Sequence, residues 1–303
     1  FHMSSPCCPD LSVGSVPEPK DQKLEGTYLD LDSLSCYVVG KGNSAILVGH
    51  DVFGIESGRT RLIADDLARS LGVLVVVPDF WGNKAAGGEK AGQAISDFAS
   101  PAPEKKFSWW SLPKRILSAA WSLPSFVMHI RANKWPGVHQ HICKRLVPFL
   151  QKRGVVKLGL LGYCWGGWFI THASTIQYTS SPGGEEKEGE EAIELCCAVG
   201  FHPSFPDVAK LCGDDVNEVL SRVRVPQMLL AASNDKAAVK PGGCMQEAWA
   251  GKSFGPDCVF ECFNDQQHGW VNRGDVSEPH VAAAASKAIE MAKEFFSKHM
   301  GIG

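Results

Sequence analysis

A cysteine framed by glycines is the residue of this sequence best placed to do chemistry. The stretch GLLGYCWGGWFI, residues 159–170, carries an apolar run, then Gly162-Tyr163-Cys164-Trp165-Gly166, then further apolar residues. It matches the nucleophile elbow G-x-S-x-G, a sharp turn between a strand and a helix, with cysteine in the place of serine. A thiol at the start of a helix is activated because the helix dipole stabilises its thiolate. Cys164 is therefore a candidate nucleophile exposed at a tight turn, although free cysteines are more often small buried residues.

Two further residues complete a hydrolytic site in chain order. Asp235 follows the apolar run MLLAA (228–232), and His268 follows CVFECF (258–263). Enzymes with a nucleophile elbow place an acid and then a histidine after the nucleophile, each in a loop beyond a later strand. Either residue alone would be an ordinary loop side chain, but the three in this order form a specific pattern. We predict that Cys164, Asp235 and His268 form a catalytic triad.

The elements that position these residues alternate between apolar strands and amphipathic helices. Runs that are apolar at every position predict strands buried on both faces, as in a parallel sheet. Ile63, Leu67 and Leu71 form one helical stripe that ends at Gly72, and a last helix begins near Pro279. This alternation predicts an α/β fold with a mostly parallel central sheet and helices on both faces. The predicted strands are AILVG (45–49), VLVVV (73–77), LGLLG (158–162), CCAVG (196–200), MLLAA (228–232) and CVFECF (258–263).

Composition and charge narrow the class of protein. The 303 residues are 44% hydrophobic, and their formal net charge of -3 gives no electrostatic reason to expect nucleic acid or an anionic membrane as partner. No apolar stretch of about eighteen residues and no secretory leader is visible. The 11 cysteines lack paired CxxC spacing, so we expect a reducing, cytoplasmic location without structural zinc. His139 and His141 would lie on different faces of a helix, and we expect neither a metal nor a cofactor.

The chain is expected to form one domain with two irregular segments. Residues 1–25, rich in Ser, Pro and charge, are interpreted as a cloning remnant followed by an irregular lead-in, and residues 26–303 as a single domain. The segment at about 82–136 holds four tryptophans and is too long for a plain loop, so we predict helices that cover one end of the sheet. The acidic segment at about 180–194 predicts a solvated surface insertion.

Several short motifs, taken together and in order, resemble those of the dienelactone hydrolases, including their eukaryotic carboxymethylenebutenolidase-like members. The resemblance extends over roughly residues 26–300 and is sharp only in these motifs. It implies an α/β-hydrolase fold and a Cys-Asp-His triad carried by Cys164, Asp235 and His268. The motifs are HDVFG (50–54), VVVPDFWG (75–82), GYCWGG (162–167), GFHPSF (200–205), SNDKAA (233–238) and HGWVNRGD (268–275).

The elbow and the resemblance also predict what surrounds the nucleophile. The residue after an elbow nucleophile, here Trp165, supplies one backbone N–H to an oxyanion, and the resemblance implies Val52 as the second donor. The family has an acidic residue in the early loop that contacts the resting thiol, and Asp51 stands at the matching position. The bacterial enzymes have Glu there, which is one methylene longer and reaches further than Asp51. The alternative for Asp51 is that its side chain caps its own loop.

Substrate contacts are less well defined by the sequence. Family members that act on dienelactone hold its carboxylate with arginines, and Arg273 is one candidate, a solvated or structural arginine being the alternative. His202 in GFHPSF and Trp270 in HGWVNRGD are further candidates for substrate binding. Other basic residues that could serve instead lie in the covering segment: Lys105, Lys106, Lys114 and Arg115.

These residues predict hydrolysis of small esters or lactones through a thioester acyl-enzyme. The expected partner is a small ester or lactone. We expect no nucleic acid and no membrane as partner, and a monomer or a homodimer as the oligomeric state. The alternative is a ligand-binding or receptor-like protein on a hydrolase scaffold with little turnover, which would not need all three side chains in register. A third hypothesis is that Cys164 is a redox-sensitive thiol.

Overall fold

One eight-stranded sheet organises the computed structural model, which describes residues 23–82, 124, 127–179 and 192–303. The strand order is β1-β2-β4-β3-β5-β6-β7-β8. Strand β2 is antiparallel to both of its neighbours, and all the pairings from β4 to β8 are parallel. The strands are β1 (Thr27–Asp30), β2 (Ser35–Val39), β3 (Ser44–Gly49), β4 (Leu74–Pro78), β5 (Lys157–Tyr163), β6 (Glu194–Phe201), β7 (Gln227–Ala232) and β8 (Val259–Phe263).

Helices connect most of the parallel strands. A π-helical turn, Ile142–Leu146, joins α2 to α3, and residues 127–132 are also helical. The labelled helices are α1 (Thr60–Leu71), α2 (Trp135–His141), α3 (Val147–Lys152), α4 (Trp165–Ala173), α5 (Asp207–Cys212), α6 (Val216–Arg222), α7 (Cys244–Ala250), α8 (Trp270–Arg273) and α9 (Pro279–Met300).

The two faces of the sheet are covered by different helices. Ile63 of α1 and Phe296 of α9 pack on one face, whereas Leu150 of α3 and Phe169 of α4 pack on the other. The central strand β3 is buried at every position because helices cover both of its faces. Among the described residues, no helix is at once long and apolar enough to cross a membrane.

All six strands predicted from apolar runs are present, each with ends within two residues of the prediction. Helix α1 ends as predicted, with Gly72 in the left-handed conformation. Strands β1 and β2 were not predicted, because β1 is a mostly exposed edge strand and neither strand is an unbroken apolar run. Most of the predicted covering segment and of the acidic insertion lies outside the described residues, and the division into domains stays a prediction.

The parallel part of the sheet brings distant residues to one edge. Strands β3, β5, β6, β7 and β8 are neighbours in this order, so their carboxyl ends lie side by side. Each is followed within a few residues by a side chain that could do chemistry. Open α/β sheets build their sites at this edge. The side chains in question are Asp51, Cys164, His202, Asp235 and His268.

Candidate active site

The turn from β5 into α4 holds Cys164 in a conformation that residues other than glycine rarely adopt. Its φ is 53° and its ψ is -108°, and α4 begins at the next residue, Trp165. A Cβ atom on Gly162 would lie 2.2 Å from the carbonyl oxygen of Gly166, and one on Gly166 would lie 2.2 Å from that of Gly49. The glycines therefore allow three main-chain segments to touch, and this contact places the sulfur at the start of the helix.

The predicted exposure of Cys164 is wrong, because its side chain is 0% exposed. Aromatic rings pack around the elbow: the Trp165 ring centroid lies 5.0 Å from that of Trp81, and Trp165 stacks on His50 at 5.3 Å. The Cys164 Sγ atom lies 3.4 Å from the hydroxyl oxygen of Ser204. Since water is largely excluded, charges near the sulfur interact more strongly than they would at the surface.

Asp235 and His268 form a buried hydrogen bond. Nδ1 of His268 lies 2.6 Å from Oδ1 of Asp235, and both side chains are at most 1% exposed. The other carboxylate oxygen accepts a 2.6 Å hydrogen bond from the Ala232 N–H, which fixes the acid at the end of β7. The main chain of His268 donates to the side-chain oxygen of Asn234. Because Asp235 occupies Nδ1, Nε2 is the imidazole nitrogen that remains for the thiol.

The electrostatic setting of His268 links all three side chains. Burial lowers the pKa of its imidazole, but the charge of Asp235 and the neighbouring Cys164 thiol raise that pKa to about 9. A histidine with this pKa is protonated at neutral pH, and a positive charge beside a thiol favours its thiolate. The structure thus brings Cys164, Asp235 and His268 together.

Asp51 is bound on both carboxylate oxygens. Oδ2 lies 2.9 Å from Nε of Arg273 and 2.9 Å from Nδ2 of Asn272, and Oδ1 accepts from the Phe53 N–H at 2.8 Å. Burial raises the pKa of Asp51, Arg273 opposes this, and Cys164 adds to it, so that the net shift is upward. The ion pair joins the early loop after β3 to α8, the helix that follows His268.

Arg273 is buried and paired, as in the structural alternative given for it. It is 1% exposed, belongs to α8, pairs with Asp51 and lies over the ring of Phe53 at 4.6 Å. The long-range partner Asp51, which no local pattern reveals, is the reason for this burial, and the geometry favours the structural alternative over a substrate contact. Trp270 is also buried and packs against Phe263 at 4.5 Å. The four basic candidates of the covering segment lie outside the described residues.

His202 lies beside the proposed base. Its ring centroid is 4.8 Å from that of His268 in an edge-on arrangement, and its φ is 39°. Burial lowers the pKa of His202 well below its usual value, with further lowering by His268 and Arg273. His202 is therefore a neutral ring that packs against a charged one. Its contact with substrate stays a prediction.

Two other residues of the site were not singled out by the sequence analysis. Ser204 contacts the sulfur of Cys164, and Asn272 donates to Asp51 and to the Thr60 hydroxyl. Each lies inside a motif that carries the family resemblance, GFHPSF or HGWVNRGD, and that placement was the available signal.

The two residues predicted to donate to an oxyanion, Trp165 and Val52, are both buried. Trp165 is the first residue of α4, so its N–H has no acceptor within the helix. Val52 is buried in the early loop beside Asp51, and this loop is closed by hydrogen bonds from the Gly54 N–H and from His50 Nδ1 to the Asp51 carbonyl oxygen. Their joint role as an oxyanion hole stays a prediction. In the part of the chain that the structure describes, no three His, Cys, Asp or Glu side chains are grouped to hold a metal ion.

The mostly parallel sheet with helices on both faces is that of the α/β-hydrolase fold. A crystal structure of an esterase/lipase from an uncultured bacterium superposes with a TM-score of 0.51, covering 93% of this chain and 88% of that chain at 11% identity, which shows the fold alone. Two relatives, each called carboxymethylenebutenolidase homolog and found in Rattus norvegicus and Mus musculus, are 22% identical over 282 residues. That alignment covers 89% of this chain and 91% of each relative.

A further match concerns the part of the chain around the early loop and the elbow. The model of the dienelactone hydrolase family matches residues 34–181, a stretch that contains the early loop and the elbow. This match and the two relatives confirm the resemblance to the dienelactone hydrolases that the motifs predicted.

The buried ion pair of Asp51 and Arg273 generates a stability prediction. Replacing Arg273→Met should lower the free energy of unfolding by about 3–5 kcal/mol, because an unpaired carboxylate is left in the interior. Urea denaturation measures this loss. The matched control is Arg222→Met, which removes an exposed arginine paired with Glu218 on α6 and should change stability by at most about 0.5 kcal/mol. Equal stability of the two variants would contradict a stabilising role for the ion pair of Asp51 and Arg273.

A second prediction concerns pH. The folded pKa of His268 is about 9 and its ordinary value is 6.5, so the folded state binds the proton more tightly. The tighter binding of this proton stabilises the folded state. Its contribution is fully present below pH 6.5 and is lost as the pH rises through about 9. The unfolding free energy of the native chain minus that of His268→Gln should therefore fall across this window. A difference that is constant or that increases with pH would show that the histidine is not held protonated.

Proposed function

We propose that this protein hydrolyses small carboxylic esters or lactones, with Cys164 as nucleophile, His268 as acid and base, and Asp235 as the residue that orients His268. The match of residues 34–181 to the dienelactone hydrolase family supports ester hydrolysis as the class of reaction. The single observation that carries the assignment is the buried arrangement in which Asp235 holds Nδ1 of His268 while Cys164 raises the pKa of the same ring.

In the first half of the reaction, the thiol proton of Cys164 resides on Nε2 of His268, and the thiolate attacks the ester carbonyl carbon. A carbon–sulfur bond forms while the carbonyl π electrons move onto oxygen. The N–H groups of Trp165 and Val52 stabilise this oxyanion, and one such donor contributes roughly 10²–10³ in rate. When the intermediate collapses, the carbon–oxygen bond to the alcohol breaks, and His268 delivers its proton to the departing oxygen. The enzyme is then a thioester.

In the second half, water attacks the thioester. His268 takes a proton from the water as the new carbon–oxygen bond forms, and the same two N–H groups hold the second oxyanion. Collapse breaks the carbon–sulfur bond, and the electron pair returns to Cys164. The acid is released, and the thiolate and the protonated His268 are restored.

The surroundings of the sulfur support substrates with an apolar or aromatic acyl group. Beside the elbow, the ring centroid of Trp165 lies 5.0 Å from that of Trp81 and 6.0 Å from that of Phe80. Arg273 is engaged by Asp51, so recognition of a substrate carboxylate is not assigned to it. A thioester intermediate suits activated esters and enol lactones better than amides, because the thiolate leaves more readily than an amine.

Kinetics of Cys164→Ala test the proposal. The variant should lose at least about 10³-fold in kcat/KM for p-nitrophenyl esters and enol lactones, because the nucleophile that splits the reaction into two steps is gone. Cys244→Ala, which removes an exposed thiol at the start of α7, is the matched control and should retain full activity. Undiminished turnover by Cys164→Ala would exclude the proposed nucleophile.

A further inference from the structure

The hydroxyl of Ser204 lies next to the reacting sulfur. We propose that Ser204 is a further catalytic residue, whose hydroxyl holds Cys164 Sγ in its resting position and donates a hydrogen bond to the thiolate. The inference deepens the proposed function and rests on it, since it concerns the same nucleophile. Ser204 has no role in the triad or in the predicted oxyanion hole.

Backbone contacts fix Ser204 against the elbow. The Cys164 N–H donates to the Phe201 carbonyl oxygen at 3.2 Å, and the Ser204 N–H donates to the Cys164 carbonyl oxygen at 2.9 Å. Pro203 lies between Phe201 and Ser204 in the chain. It packs so closely on α4 that a Cβ atom on Gly167 would lie 2.3 Å from the Pro203 Cβ. The chain that leaves β6 is therefore tied to Cys164 at both ends. This explains how a short side chain, 7% exposed, brings its oxygen to 3.4 Å from the sulfur.

A hydroxyl suits this position better than a carboxylate. It can accept a hydrogen bond from a thiol and donate one to a thiolate, so it serves both protonation states of Cys164. An ionised Asp51 carboxylate can only accept hydrogen bonds, and its oxygens already accept from Asn272 and Phe53 and form an ion pair with Arg273. A negative Asp51 would repel the thiolate. Ser204 thus supplies the favourable contact that an acid at this distance could not.

The hydrogen bond acts at two points of the cycle. Before attack, donation from the Ser204 hydroxyl to the negative sulfur stabilises the thiolate over the thiol, and such charge-assisted bonds are stronger than neutral ones. During breakdown of the second intermediate, the electron pair of the broken carbon–sulfur bond returns to Cys164, and the same hydroxyl stabilises the departing thiolate. No proton leaves Ser204 in either step.

Titration of Cys164 is the direct test. The ultraviolet absorbance of the thiolate is recorded against pH, and the signal of the other cysteines is removed by subtracting the matching Cys164→Ala protein. Ser204→Ala should move the thiolate transition upward by about one pH unit, which corresponds to a tenfold change in thiolate fraction. Ser204→Thr keeps the hydroxyl and should restore most of the shift. Ser204→Gly is a second variant without the hydroxyl, for use if alanine impairs folding.

The titration isolates Ser204 from the other groups around the sulfur. His268, His202, His50 and Asp51 all interact electrostatically with Cys164, and the Ser204 variants leave each of them in place. Turnover should fall roughly tenfold in kcat with KM unchanged, since the hydroxyl contacts the sulfur and not the bound ester.

The possible outcomes separate this inference from the proposed function. If the thiolate transitions of the native and the hydroxyl-free proteins coincide, the role of Ser204 is overturned even if ester turnover is normal. If the transition shifts but neither protein forms a thioester, the hydrogen bond stands and the proposed hydrolysis fails. A purely structural Ser204 would lower the melting temperature of Ser204→Ala without moving the transition, and this result also contradicts the inference.

Discussion

The site depends on the near contact of three backbone segments at Gly49, Gly162 and Gly166. Because these segments touch, β5 passes into α4 with no intervening loop, and Cys164 must take up a left-handed φ. The strain at this residue is maintained by the sheet and the helix that enclose it. The sulfur is then at the start of a helix, and the N–H of Trp165, the first residue of that helix, has no acceptor within it. A larger residue at any of these glycines would separate strand from helix and displace Cys164.

Two buried carboxylates next to this turn have different partners and therefore different roles. Asp235 lies behind His268, fixes its tautomer and favours its charged form. Asp51 is paired with Arg273 and connects the early loop to the segment that carries His268. The two residues are of the same type, so their different partners, a histidine for Asp235 and an arginine for Asp51, distinguish them. Both act in an interior where charge interactions are strong, so losing either partner leaves a costly unpaired charge.

Much of this arrangement could be predicted from the sequence, because local patterns encode it. Continuous apolar runs identify the six strands of the parallel part, and the placement of Cys164, Asp235 and His268 just beyond three of them indicates one edge of the sheet. The burial of the thiol could not be predicted, since it depends on rings contributed by separate segments. The pairing of Asp51 with Arg273 and Asn272 joins residues that are far apart in the chain; Asp51 and Asn272 are separated by 221 positions. No local pattern specifies such a contact.

The central claim is that sulfur carries the acyl group during turnover. Rapid-quench mass spectrometry of the native protein mixed with an activated ester, followed by peptide mapping, measures this directly. The account predicts a transient adduct with the mass of the acyl group, located on the peptide that contains Cys164 and absent from the Cys164→Ala protein. An acyl group found on another residue, or ester turnover with no covalent adduct on the millisecond scale, would contradict it.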